Sequence, residues 1–167
     1  MDKKTKKKNI KEKIDFGVSF GLTSGVITTL GLMVGIYYGT HSKLIVLGGI
    51  LTIAFADAFS DSLGIHISKE SEKGVSKKKV WKLTFSSFIT KLLIALTFVI
   101  PVLSFNLNLA LIISIIWGFS LISILSYKIA VSKGDNPLKV IGEHLFITAI
   151  VVIISNLIGS GISNWMG

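Results

Sequence analysis

The chain has no cysteine and no arginine. Without cysteine there are no disulfides, no thiolate metal ligands and no thiol redox chemistry. Without arginine, the net charge of +9 rests on lysine alone, and the usual reader of bases and phosphates is missing. The lysines cluster between apolar runs instead of covering an exposed domain, so nucleic acid is not an expected partner. Charge of either sign is scarce: 16% of the 167 residues are charged, against about a quarter in soluble domains. Half of the residues are hydrophobic and the mean hydropathy is +0.71, a composition built for lipid. Enzyme signatures are lacking as well. There is no Ser-His-Asp context, no HExxH, no P-loop and no GxGxxG following a strand. No enzyme and no cofactor are expected.

What the chain does have is long apolar runs. A spanning helix needs about 20 mostly apolar residues. Candidate spans lie near Phe16–Tyr38, Leu44–Ile67, Leu83–Phe105, Leu107–Ile129 and Val140–Trp165. The expectation is an all-α integral membrane protein, a bundle of about five transmembrane helices. Residues 1–15 form a basic tail, residues 16–167 the membrane domain, and residues 68–82 a short connecting loop. The first apolar run outlasts a signal-peptide core and no A-x-A-like site follows it, so it reads as a retained span.

The lysines are sorted by side. Seven lie in the tail (Lys3, Lys4, Lys6, Lys7, Lys8, Lys11 and Lys13) and six more, from Lys69 to Lys82, around the second connection. Lys128, Lys133 and Lys139 border the fourth, whereas the opposite side has only Lys43. The positive-inside rule places the N-terminus in the cytoplasm and the C-terminus outside, as a multi-pass protein of the cell membrane if the source is prokaryotic. The lysine runs read as topology signals and contacts to anionic lipid.

Small residues recur at four-residue spacing: Gly17, Gly21 and Gly25, then Gly31 and Gly35, then Ala54, Ala58 and Ser62. Such faces let helices approach closely where no hydrophobic effect acts between them. Spacing alone does not say which helix or which subunit is the partner. Pro101 is expected to kink the outer end of the third span, and AspAsnPro at 135–137 to make a turn.

Against this apolar background, Asp57 and Asp61 sit one helical turn apart inside the second span and share one side of it. At 1.5 Å rise per residue, Asp61 lies roughly 10 Å and Asp57 roughly 16 Å from the cytoplasmic end. A carboxylate in hydrocarbon costs several kcal/mol, faces a protein interior and commonly serves transport. Paired oxygen ligands suit a hard divalent cation, and they also suit proton exchange. The competing reading is structural: Lys91, at roughly 12 Å on the third span, could pair with either acid and tie two helices together. One lysine cannot neutralise two aspartates. His66 lies about 140° around the helix from Asp61 and is expected at the membrane edge beside Glu70. Glu143, next to His144, either completes an entrance site or is an acid favoured by a helix N-terminus. His41 falls in an outer turn, and Asp15 is placed to cap the first span.

The segment PheGlyLeuThrSerGlyValIleThrThrLeuGlyLeuMetValGlyIle, residues 20–36, resembles the first-helix signature of the vacuolar iron transporter family. SerAspSerLeuGlyIleHisIleSer, residues 60–68, resembles the second, and residues 127–139 with the following span look like the closing helix pair. The resemblance implies a five-helix dimer that exchanges cytosolic Fe(II), and often Mn(II), for protons. Matched by position, the family's first-helix acid falls on Ser24, its second-helix Met on Asp61 and its Glu on Ile65. The Glu-rich insertion between the second and third spans is replaced by a short lysine-rich connection carrying only Glu70 and Glu72. Replacing a soft sulfur by a carboxylate favours a harder ion such as Mn(II) or Mg(II), or protons alone.

The expected function is therefore transport of a divalent cation of the Fe(II)/Mn(II) class out of the cytosol against protons. Asp57, Asp61, Glu143 and Ser24 are the candidate metal ligands. Gly21, Gly25, Thr28, Thr29 and Lys91 shape the path or pack it, and Glu70 and Glu72 attract cations at the cytoplasmic mouth. The expected partners are the bilayer, the cation, protons and a second copy of the chain. The alternative is a non-transporting membrane scaffold braced by an internal Asp–Lys pair.

Overall fold

A computed structural model of the protein describes residues 16–166; the basic tail and the Asp15 cap lie outside the described residues. The helices are α1 (Phe16–Thr40), α2 (Lys43–Ser71), α3 (Lys77–Thr97), α4 (Val99–Ser104), α5 (Leu107–Lys133) and α6 (Pro137–Met166). With α3 and α4 counted as one span, five helices are long and apolar enough to cross a membrane. The architecture is all-α and multi-pass.

Local chemistry sets each boundary. At the end of α1, His41 takes φ 49°, the left-handed conformation that closes helices. Ser42 then caps α2, its hydroxyl accepting from the Ile45 N–H at 3.4 Å. Asn106 caps α5 by accepting from Leu109 N–H at 3.0 Å. Gly134, at φ 77°, ends α5, and Asn136 accepts from Leu138 N–H at 3.0 Å as Pro137 opens α6. The third span breaks as its proline requires. A proline ring collides with the carbonyl four residues earlier, which here belongs to Thr97, the last residue of α3.

The helices outrun the apolar spans at the lysine-rich end. Residues 68–71 and 77–82, expected in a loop, are helical, and only 72–76 connect α2 to α3. Ser76 caps α3 from Lys79 N–H at 3.4 Å, and Lys69 pairs with Glu72. Helical hydrogen bonding continues into the aqueous edge because these local partners support it.

The central helix is α1, which packs against α2, α3, α5 and α6. Its Val26, Leu30, Met33 and Val34 join Val46, Ile50, Phe98 and Val102 in the core. The glycine faces are spent within the chain. Gly17, Gly21 and Gly25 lie against α3, while Gly31, Gly35 and Gly39 lie against Val151, Ser155 and Gly159 of α6. Most of α6 faces outward: only Thr148 and Gly159 are buried on it. Leu63, Leu157 and Ile158 are each more than half exposed, an outer surface suited to lipid.

The close approach at Gly21 is testable. A Cβ there would stand 2.6 Å from the Ser87 carbonyl oxygen and 3.1 Å from the Lys91 nitrogen, both backbone atoms. Gly21→Ala should lower stability by about 1–3 kcal/mol. Gly64→Ala, where nothing lies within 4 Å, should be neutral or slightly stabilising through helix propensity. Thermal unfolding in detergent, followed by circular dichroism, compares the two; equal losses would refute the α1–α3 contact.

Candidate functional site

Three helices meet around one ammonium. Lys91 of α3 is 1% exposed, and its Nζ forms ion pairs with both Asp57 and Asp61 of α2. Helical spacing puts the two acids on one side of α2, and α2 and α3 lie against each other through that side. The side chains of Asp57 and Asp61 are 20% and 24% exposed, so the carboxylates lie at the edge of the packed interior and the lysine inside it.

The third contributor is Ser24 of α1. Its hydroxyl donates to Asp61 Oδ2 at 2.6 Å and accepts from Lys91 Nζ at 2.7 Å. Lys91 also donates to Asp61 Oδ2. The same carboxylate oxygen thus takes a hydroxyl and an ammonium donor. Asp57 Oδ2 is held differently: it lies 2.5 Å from Nζ, yet without the alignment of a hydrogen bond, and its approach is Coulombic. By formal charge, two carboxylates and one ammonium sum to minus one.

The remaining candidates are placed apart. Thr28 donates to the Ser24 carbonyl at 2.8 Å, a bond internal to α1. Thr29 is fully buried, and its hydroxyl has no hydrogen-bond partner among the described residues. Glu143 is exposed on α6, a helix that packs on α1 and α5, and it does not touch the aspartates. Glu70 meets His66 Nε2 at 3.9 Å and Glu72 meets Lys69. Ile65, at the position matched to a glutamate, is buried. Among the described residues, no three of His, Cys, Asp and Glu gather as a ready metal site. Oxygen donors for a cation are concentrated in Asp57, Asp61 and the Ser24 hydroxyl.

Two histidines have partners that sequence does not indicate. His66 Nδ1 lies 3.0 Å from the Thr84 hydroxyl, and its ring meets Trp81 edge-on, joining α2 to α3 below the acids. His144 Nδ1 lies 2.7 Å from Ser126 Oγ, which itself donates to the Ile122 carbonyl at 2.6 Å. Which of the two donates depends on the histidine tautomer. The pair borders a cavity of about 140 Å³ between α1, α5 and α6, lined also by Thr23, Ile27 and Thr148. Nothing in the spacing of His144 and Ser126, on different helices, signals this pairing.

Ser24 is the residue on which the three-helix junction turns. Ser24→Ala removes a donor to Asp61 and an acceptor for Lys91, leaving buried polar groups short of partners. The expected loss is about 1–3 kcal/mol, with Ser24→Thr retaining most of the stability. Thermal midpoints in detergent measure both; an Ala variant as stable as the parent would remove Ser24 from the cluster.

Comparison with known proteins adds no relative: no family model, no curated protein and no solved structure matches the chain. The likeness to the vacuolar iron transporter family therefore rests on the residues quoted above.

Proposed function

We propose that the protein carries a cation across the membrane in exchange for protons, with Asp57 and Asp61 as the residues that bind the cargo. The observation that carries this reading is the count of charges in the cluster. A strut between α2 and α3 needs one acid for one lysine, and a second buried-edge carboxylate beside Lys91 is surplus. Unneutralised charge at membrane depth is costly and is retained where it acts on an ion. A divalent ion of the Fe(II)/Mn(II) class is the cargo the family resemblance implies, and the oxygen donors of Asp57, Asp61 and Ser24 match hard cations. The lysine distribution supports a cytoplasmic N-terminus, and export from the cytosol is the direction that the family resemblance implies. Glu70 and Glu72, already paired with His66 and Lys69, lie at the lysine-rich mouth. Self-association would use surfaces other than the α1 glycine faces, which are occupied within the chain.

A second reading is favoured by one observation. Lys91 is buried and touches both acids at once, as a brace in a non-transporting scaffold would.

The two readings separate on substitution. Either Asp57→Asn or Asp61→Asn alone leaves one acid for one lysine, so the fold should hold. On the transport reading each variant loses flux at least tenfold in liposomes loaded with metal- and pH-sensitive dyes, with Fe(II), Mn(II), Zn(II) and Mg(II) offered in turn. On the scaffold reading no metal moves in the parent protein. There the double Asp57→Asn/Asp61→Asn variant strands Lys91, losing about 3–5 kcal/mol, and adding Lys91→Met restores stability. Metal movement opposed by protons in the parent, lost in the single variants, establishes the exchanger; silence toward all four metals sinks it.

A further inference from the structure

Lys91 occupies the place that a cation would take. Its ammonium stands against Asp57, Asp61 and Ser24, the same oxygens that would bind the cargo. Two cations a few ångströms apart in a poorly screened interior repel strongly. A bound metal and the ammonium therefore exclude each other, and Lys91 needs a second resting place. Since Lys91 is buried, that place has to lie inside the bundle, within reach of a flexible four-carbon stem.

Ser87 supplies it. It lies one turn before Lys91 on α3, a spacing that puts both on one face. Helical side chains lean toward the N-terminus, so Lys91 leans over Ser87. Ser87 is fully buried and its hydroxyl has no hydrogen-bond partner among the described residues. Five other helical serines behave differently, although the buried Ser114 of α5 also has no partner among the described residues. Ser62, Ser120, Ser123, Ser126 and Ser132 each donate to a carbonyl three or four residues back, the ordinary way to satisfy a buried hydroxyl. An orphaned oxygen one helical turn from the residue that carries a buried ammonium calls for an explanation, and a vacant acceptor is one. Gly21 and Gly25 put no side chain of their own where α1 packs on the backbone of Ser87 and Lys91.

We propose that Lys91 is a tethered competitor for the cargo, resting on Asp57 and Asp61 when the site is empty and on Ser87 Oγ when a cation holds the carboxylates. The inference rests on the transport reading and deepens it. Ser87 is a positioning residue: it touches no cargo and acts through Lys91. Cation binding and lysine release are then a single event, which sets a ceiling on affinity and lets the cargo leave.

Equilibrium binding of Mn(II) to the purified full-length protein in lipid nanodiscs, read from the electron paramagnetic resonance of free Mn(II), tests this without transport. Lys91→Met should tighten Mn(II) binding by about tenfold or more, and Ser87→Ala should weaken it about three- to tenfold, within the usual range of coupling between sites. In the Lys91→Met background, Ser87→Ala should have no effect, because no ammonium remains to be housed. Equal weakening by Ser87→Ala in both backgrounds, or binding no tighter in folded Lys91→Met, overturns the tethered competitor while leaving the transport reading intact. Should Lys91→Met fail to fold, unchanged Mn(II) affinity in Ser87→Ala alone overturns it. Absence of Mn(II) binding from both the parent and Lys91→Met overturns the divalent transport reading itself.

Discussion

A buried ammonium imposes more on this fold than any other group in it. Lys91 is almost wholly enclosed, and an uncompensated charge at that depth costs several kcal/mol. Compensation has to come from opposite charges held close, and α3 carries no acid of its own. Asp57 and Asp61 come from α2, and Ser24 from α1. The requirement thus fixes the relative rotation of three helices, since a turn of any one would strand a charge. Directional polar contacts of this kind choose among the many ways in which apolar helices can pack in lipid.

Close approach makes that chemistry possible. Lipid tails are as apolar as leucine, so burying apolar surface between membrane helices yields little, and contact between backbones matters more. Gly17, Gly21 and Gly25 bring α1 onto the backbone of α3 at the residues around Lys91. The next glycines along α1, Gly31, Gly35 and Gly39, meet α6 and its Gly159. One helix therefore presents two small-residue faces, the first serving the charged cluster and the second anchoring a helix that is otherwise turned outward. The core leucines and valines fill what lies between.

The parts of this arrangement that could be read from sequence are those with one-dimensional causes. Apolar runs of the required length mark the five spans, and Pro101 marks the break before α4. A four-residue spacing puts Asp57 and Asp61 on one face, and helical rise places Lys91 at a similar depth. His66 beside Glu70 follows from spacing as well. What depends on which helices touch is not written in any local pattern. Ser24 joining Lys91, the division of the α1 glycines between α3 and α6, and His144 meeting Ser126 arise only once the bundle is assembled. The helical extensions at 68–71 and 77–82 were hidden for another reason: their lysines look like loop in a membrane reading, although lysine is a good helix former.

The charge count is what favours the proposed ion-binding reading over a brace. An ion pair that only joins helices is best balanced, since any surplus must be solvated or neutralised. Here the surplus is a carboxylate, and both acids retain a fifth to a quarter of their side-chain surface exposed while the lysine does not. The negative charge in excess therefore sits on the open side of the cluster and the positive charge on the closed side. On the transport reading proposed above, a cation entering from that exposed side meets the carboxylates first, with the ammonium behind them. That asymmetry follows from α2 lying at the rim of the α1–α3 contact, and it gives the cluster a direction that a symmetric brace would lack.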